Sequence, residues 1–116
     1  MVSKAMPGAG DVEVKIGNKK VVLKPTLKAA IHLSTRPGGL ADIVQRCAAL
    51  DFEAICDVII VGGGLEVTET TKENIFRAGI MKMSVPCIEY INLLANGGRP
   101  ISDEKDEDAP LANSSQ

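Results

Sequence analysis

Residues Asp57–Gly64 read Asp-Val-Ile-Ile-Val-Gly-Gly-Gly, an apolar run that ends in three glycines. In dinucleotide-binding enzymes such a run is a strand followed by a phosphate loop. A helix begins inside the glycine turn there, and its N-terminus holds the pyrophosphate. That chemistry makes demands which the neighbouring residues do not meet. The third small position of the fingerprint falls on Val67, whose branched side chain would hold strand and helix apart. Helix-start residues return only at Thr70, and about fifty residues remain after Gly64, without a run of βα units. The same letters read better as the last turns of a helix, because glycine just past the final periodic residue is the commonest helix stop.

Other reactive residues assemble into no recognisable chemistry. Cys47, Cys56 and Cys87 are widely spaced, with no CxxC, and read as buried reduced thiols. The single histidine, His32, has no neighbouring cysteine or second histidine to make a zinc site or a nucleophile–base pair. Asp51 reads as a helix cap and Glu53 as a residue of that helix's wet face, so they are no acid–base pair. Asn18–Lys20 and Lys24 form a small basic edge of the kind that blunts an exposed strand. No catalytic, cofactor-binding or metal-ligating set is expected, and the chain is not read as an enzyme.

Size and charge narrow the classes further. A chain of 116 residues is one domain and can bury a core without staples. Phe52, Phe76 and Tyr90 are its only aromatics, so the core must be aliphatic and a base-stacking surface is unexpected. The net charge of −2 divides into −4 over residues 101–116 (Asp103, Glu104, Asp106, Glu107 and Asp108 against Lys105) and +2 over the rest. A near-neutral body gives no electrostatic reason to bind nucleic acid. No apolar run reaches a membrane span, and the N-terminal residues lack a signal peptide's apolar stretch, so a cytoplasmic protein is expected.

The elements that position these residues follow from periodicity. Residues 1–10 read as a flexible leader, 11–100 as one globular domain, and 101–116 as a disordered acidic tail. Val12, Val14 and Ile16 alternate with charged residues, Gly17-Asn18 makes a turn and "KKVVLK" returns, giving a β-hairpin over about 11–24. A bundle of four to five short helices follows, so the fold class is α+β, mainly α. Thr26 caps the first helix, with Leu27, Ala30 and Ile31 expected on one face. Leu40, Ile43, Val44, Cys47 and Leu50 form the second stripe. Asp51 caps the third, which carries Phe52, Ile55, Cys56, Ile59 and Ile60. Thr70–Glu73 reads as a capping box for the fourth, with Ile75, Phe76, Gly79, Ile80 and Met83 inward. Ser84 is expected to cap the last helix, with Pro86 in its first turn and a stop at Asn96-Gly97-Gly98.

This order of caps, turns and helix faces from Asp11 to Gly98 resembles the small tail-assembly proteins of gene transfer agents and related long-tailed phages and prophages. The similarity runs through "VVLKPTLKAA", with Leu23, Pro25, Thr26 and Ala29-Ala30, and then through "GGLADIVQRCAALDFEAICDVIIVGGG". Gly38-Gly39-Leu40, Asp51-Phe52 and Gly62–Gly64 fall at the family's turn, helix opening and helix stop. The resemblance implies a non-enzymatic tail assembly chaperone, a family also described as tail tube proteins. Such a chaperone binds the tape-measure protein and aids polymerisation of tail tube subunits in the bacterial host's cytoplasm. Its partners are proteins, not nucleic acid or membrane, and self-association is left open. The alternatives are a structural tail component carried in the virion and, further off, a small nucleic-acid-binding regulator. A chaperone of this kind needs an apolar face for a partner helix. Val58 and Val61, off the main stripe of their helix, and Ile88, Tyr90, Ile91 and Leu94 of the last helix are the expected partner-binding residues.

Overall fold

The structure, a computed structural model, describes residues 10–100. The expected acidic tail and, apart from Gly10, the expected leader lie outside the described residues. The chain runs β1 (Val12–Ile16), β2 (Lys19–Leu23), α1 (Leu27–Ser34), α2 (Gly39–Ala48), α3 (Phe52–Gly63), α4 (Glu69–Ala78) and α5 (Ile80–Ala95). A two-stranded antiparallel hairpin is thus followed by five helices. In the hairpin Val12 pairs with Leu23 and Ile16 with Lys19, across a two-residue turn in which Gly17 takes a positive φ of 65°. Val12, Val14 and Ile16 point into the core while Glu13 and Lys15 face out, as period-two alternation requires.

Helix α3 is the central element. Seven of its residues are buried (Ala54, Ile55, Cys56, Val58, Ile59, Ile60 and Gly62), which is the lot of a helix that is apolar nearly all round. It packs against α1, α2, α4, α5 and β2. Asp51 starts it, accepting hydrogen bonds from the backbone N–H groups of Glu53 and Ala54 at 3.0 and 3.3 Å. Gly64 stops it in the left-handed conformation (φ 66°), where the Leu65 N–H donates to the Ile60 carbonyl. The glycine triplet is therefore a helix end, not a phosphate loop. Helix α2 ends the same way with Leu50 at φ 64°, a left-handed position usually left to glycine, and the Asp51 N–H reaches back to the Arg46 carbonyl.

The Asp51 carboxylate is also held by Arg46 Nε at 2.9 Å. That ion pair, with the Ala54 N–H, holds the carboxyl below its ordinary pKa. A carboxylate depressed in the folded state adds stability above its unfolded pKa near 3.8 and loses it as pH falls through the lower folded value. Acid melting of wild type and of Asp51→Asn should therefore converge below pH 4, with wild type melting higher at neutral pH. Parallel curves down to pH 2 would remove the cap–arginine pair as the cause.

Five details differ from the sequence expectation, one being Phe76, expected inward but 58% exposed. In α1, Ala29 and Leu33 are buried, whereas Leu27 and Ile31 stand 76% and 55% exposed. The two pairs sit about 200° apart on the helix. Both have i, i+4 spacing, so periodicity could not choose between them. Leu50 lies beyond α2 and is exposed. Helix α4 starts at Thr68, whose hydroxyl accepts from the Thr71 N–H, and Glu73 pairs instead with Arg77 one turn on. The last break falls at Gly79 (φ 108°), not at Ser84, so α5 is a 16-residue helix with Pro86 inside it. Ser84 caps nothing. Its buried hydroxyl donates to the Cys47 carbonyl of α2 at 2.9 Å.

Candidate functional site

A groove of about 510 Å³ opens between α1 and α3, closed at one end by the link 64–67 and by Lys72 of α4. Its position follows from the local sequence. Lys28 and His32, one turn apart on α1, reach it from one side, and Ala29 supplies a small wall that leaves the space open. From α3 come Glu53, Asp57 and Val61 at the rim, with Ala54, Cys56 and Ile60 below. Leu65 and Val67 of the link add an apolar end. The floor is thus aliphatic and the rim carries charges of both signs.

Most of the rim charges already have partners. Arg36, just past α1, makes a two-pronged contact with Asp57 of α3, Nε to Oδ2 and Nη2 to Oδ1, each 2.7 Å. This fork ties the two walls of the groove and raises the arginine's pKa through the Asp57 hydrogen bond. Lys72 bridges α4 to Glu53 of α3 at 3.5 Å. Arg46 is engaged by Asp51, with Asp42 4.0 Å away. Four cations (Lys28, Arg36, Arg46 and Lys72) stand against two carboxylates (Glu53 and Asp57) around the groove, with Arg46 also answered by Asp51.

The reactive residues are placed for packing. Cys56 lines the groove wall but is 1% exposed, and burial pushes its thiol up to about 11, so it is a poor nucleophile at neutral pH. His32 lines the same groove without a hydrogen bond to Cys56 or Asp57. Among the described residues, no three His, Cys, Asp or Glu side chains converge closely enough to hold a metal ion.

The six residues expected to meet a partner do not form one exposed face. Val58, Tyr90, Ile91 and Leu94 are buried in the core, and Val61 and Ile88 are half-buried. The reason is geometric. Helices α3 and α5 lie in the middle of the bundle, so a second apolar stripe on either is covered by another helix or by the hairpin. Only Val61 reaches the groove. The exposed large apolar side chains are others: Leu27 and Ile31 on α1, Leu50 past α2, Val67 at the groove's end, and Phe76, Met81 and Val85 around the α4–α5 turn. The Phe76 ring meets Phe52 edge to face, with centroids 6.1 Å apart. The signal for Leu27 and Ile31 was present as two apolar stripes on an eight-residue helix, more than one core can use.

Comparison with family models, with curated proteins and with solved structures yields no match. Among the described residues no helix is long and apolar enough to cross a membrane.

Proposed function

We propose that this chain is a non-enzymatic tail assembly chaperone, acting in the host cytoplasm, which captures apolar-faced helices of a phage-type tape-measure protein. The observation that carries the reading is the α1–α3 groove, with its aliphatic floor, its charged rim and the exposed Val67 at its end. An amphipathic helix laid in such a groove buries its apolar stripe on Ala54, Ile60, Val61 and Val67 while its flanks meet charges of either sign. Val67, 73% exposed at the groove's end, contributes little to the fold, so its exposure is available to a partner.

The test is co-expression with a tape-measure protein from the same genome. The variant Val67→Asp should fold and melt as wild type does, yet capture about tenfold less of it, because an apolar contact in the groove becomes charged. Unchanged capture would move the binding face elsewhere. Mass spectrometry of purified particles separates the other reading, because a structural tail component would be present there in stoichiometric amount.

A further inference from the structure

The last described residues lie beside the groove. A Cβ at Gly98 would stand 3.3 Å from the Pro25 carbonyl oxygen and 3.6 Å from its ring. The two segments therefore touch, and Thr26, the next residue along, lines the groove. The exit is held in place. The Gly98 N–H donates to the Leu93 carbonyl at 2.7 Å, and the Asn96 side-chain amide donates to the Arg99 carbonyl at 2.8 Å. Residues 101–116 thus leave the fold next to the groove.

Reach and charge both suit that position. The acids Asp103, Glu104, Asp106, Glu107 and Asp108 come three to eight residues after Pro100. Extended chain covers roughly 10–28 Å over that span. Helix α1, one wall of the groove, has eight residues, a length of about 12 Å. The acids can therefore lie along the whole wall. The groove answers them with four cations against two carboxylates. Lys28 is exposed and makes no ion pair among the described residues, and Lys72 holds Glu53 only at 3.5 Å. The lysines of the hairpin, Lys15, Lys19 and Lys20, sit near its turn, at the opposite end of β2 from Pro25.

We propose that the acidic segment 101–116 folds back over the α1–α3 groove, its carboxylates meeting Lys28 and Lys72. The contact is a property of this chain alone. Its consequence, that a partner helix must displace the segment, rests on the chaperone reading above. Each exposed ion pair is weak. The short tether compensates, because it gives an effective concentration in the millimolar range. A contact with a dissociation constant near that value keeps the groove mostly covered.

The test couples carboxylates to amines in the full chain with a zero-length carbodiimide, followed by peptide mapping. Acids of 103–108 should join Lys28 or Lys72 within one chain, and the yield should fall severalfold between about 20 mM and about 0.5 M salt. Amide NMR supplies a second readout. In the variant carrying Asp103→Asn, Glu104→Gln, Asp106→Asn, Glu107→Gln and Asp108→Asn, the signals of Thr26, Lys28 and Val61 should move. High salt should bring those of wild type to the same positions. Cross-links confined to Lys15, Lys19, Lys20 or Lys24, cross-links only between chains, no cross-link, or groove signals alike in the two forms at low salt would each overturn the proposal. The neutralised variant should also capture the tape-measure protein about threefold more tightly, the factor by which a covered groove weakens apparent affinity. Equal capture by the two forms would overturn the displacement. Capture by neither, with the cross-links present, would sink the chaperone reading and leave the contact standing.

Discussion

Gly62→Ala should destabilise the protein by about 1–3 kcal/mol, although glycine to alanine inside a helix ordinarily stabilises by roughly 1 kcal/mol. The sign reverses because of what a Cβ would meet. It would lie 2.9 Å from Tyr90 Cζ, 3.0 Å from Cε2 and 3.1 Å from the hydroxyl. The ring cannot swing away, since it is wholly buried and its hydroxyl is fixed to the Lys24 carbonyl at 2.7 Å. The Gly62 carbonyl in turn accepts from the Lys24 N–H at 3.1 Å, so α3 cannot simply back off without loosening the hairpin. Thermal melts of three single variants make the argument specific. Gly64→Ala, with open space but φ 66°, should lose about 1–2 kcal/mol through backbone strain alone. Gly63→Ala would crowd a methyl of the half-buried Val21, which has room to move. In the background Tyr90→Leu the Gly62→Ala penalty should vanish, a coupling that a double-mutant cycle reads directly. An undiminished penalty there would place its origin in the helix, not in the ring.

Much of this fold is legible in the sequence because its signals are local. The hairpin is written in the alternation of Val12, Val14 and Ile16 about Gly17-Asn18. The third helix is written in Asp51 at one end and Gly64 at the other. Those side chains act on backbone within a few residues of themselves, so tertiary context has little to change. What failed depended on contacts distant in sequence. Whether Leu27 and Ile31 or Ala29 and Leu33 face inward is decided by where α3 and α5 lie. Ser84 looks like a cap until Cys47, 37 residues away, supplies its hydroxyl with a buried carbonyl. With Ser84 so used and Gly79 at φ 108°, the break moves upstream and Pro86 is absorbed into α5.

The candidate groove was illegible for a related reason. Its floor comes from α3, its walls from α1 and the 64–67 link, and its rim is pinned by Arg36 to Asp57, 21 residues apart. No single segment carries the motif. The apolar surplus of α3 and α5 was a true signal, but it reports that both helices are central. Surplus on a peripheral helix is the better guide to a binding face, because there only one side can be buried. Leu27 and Ile31 meet that criterion, and Val58 and Leu94 do not.

Tyr90→Ala should be the most damaging single change, lowering stability by about 3–5 kcal/mol, whereas Tyr90→Phe should lose only about 1–2 kcal/mol. The ring fills the space between α3 and the end of β2, and its hydroxyl satisfies a carbonyl at the strand's exit. Alanine removes both contributions and leaves a cavity, while phenylalanine leaves only the Lys24 carbonyl without this partner. The protein has one tyrosine and no tryptophan, so tyrosinate absorbance reports this residue alone. Burial, with a smaller contribution from Asp11, pushes its phenol up to about 12 from the usual 10. The folded state therefore keeps the proton through a range where the unfolded chain releases it. The phenol's contribution is intact below pH 10 and is lost as pH rises from 10 towards 12. Subtracting the Tyr90→Phe stability curve from that of wild type isolates this loss from the lysines and thiols that titrate alongside. A tyrosinate midpoint near 10 in the folded protein would mean that water reaches the hydroxyl. Tyr90 could then be neither the seal between strand and helices nor the reason Gly62 must be glycine.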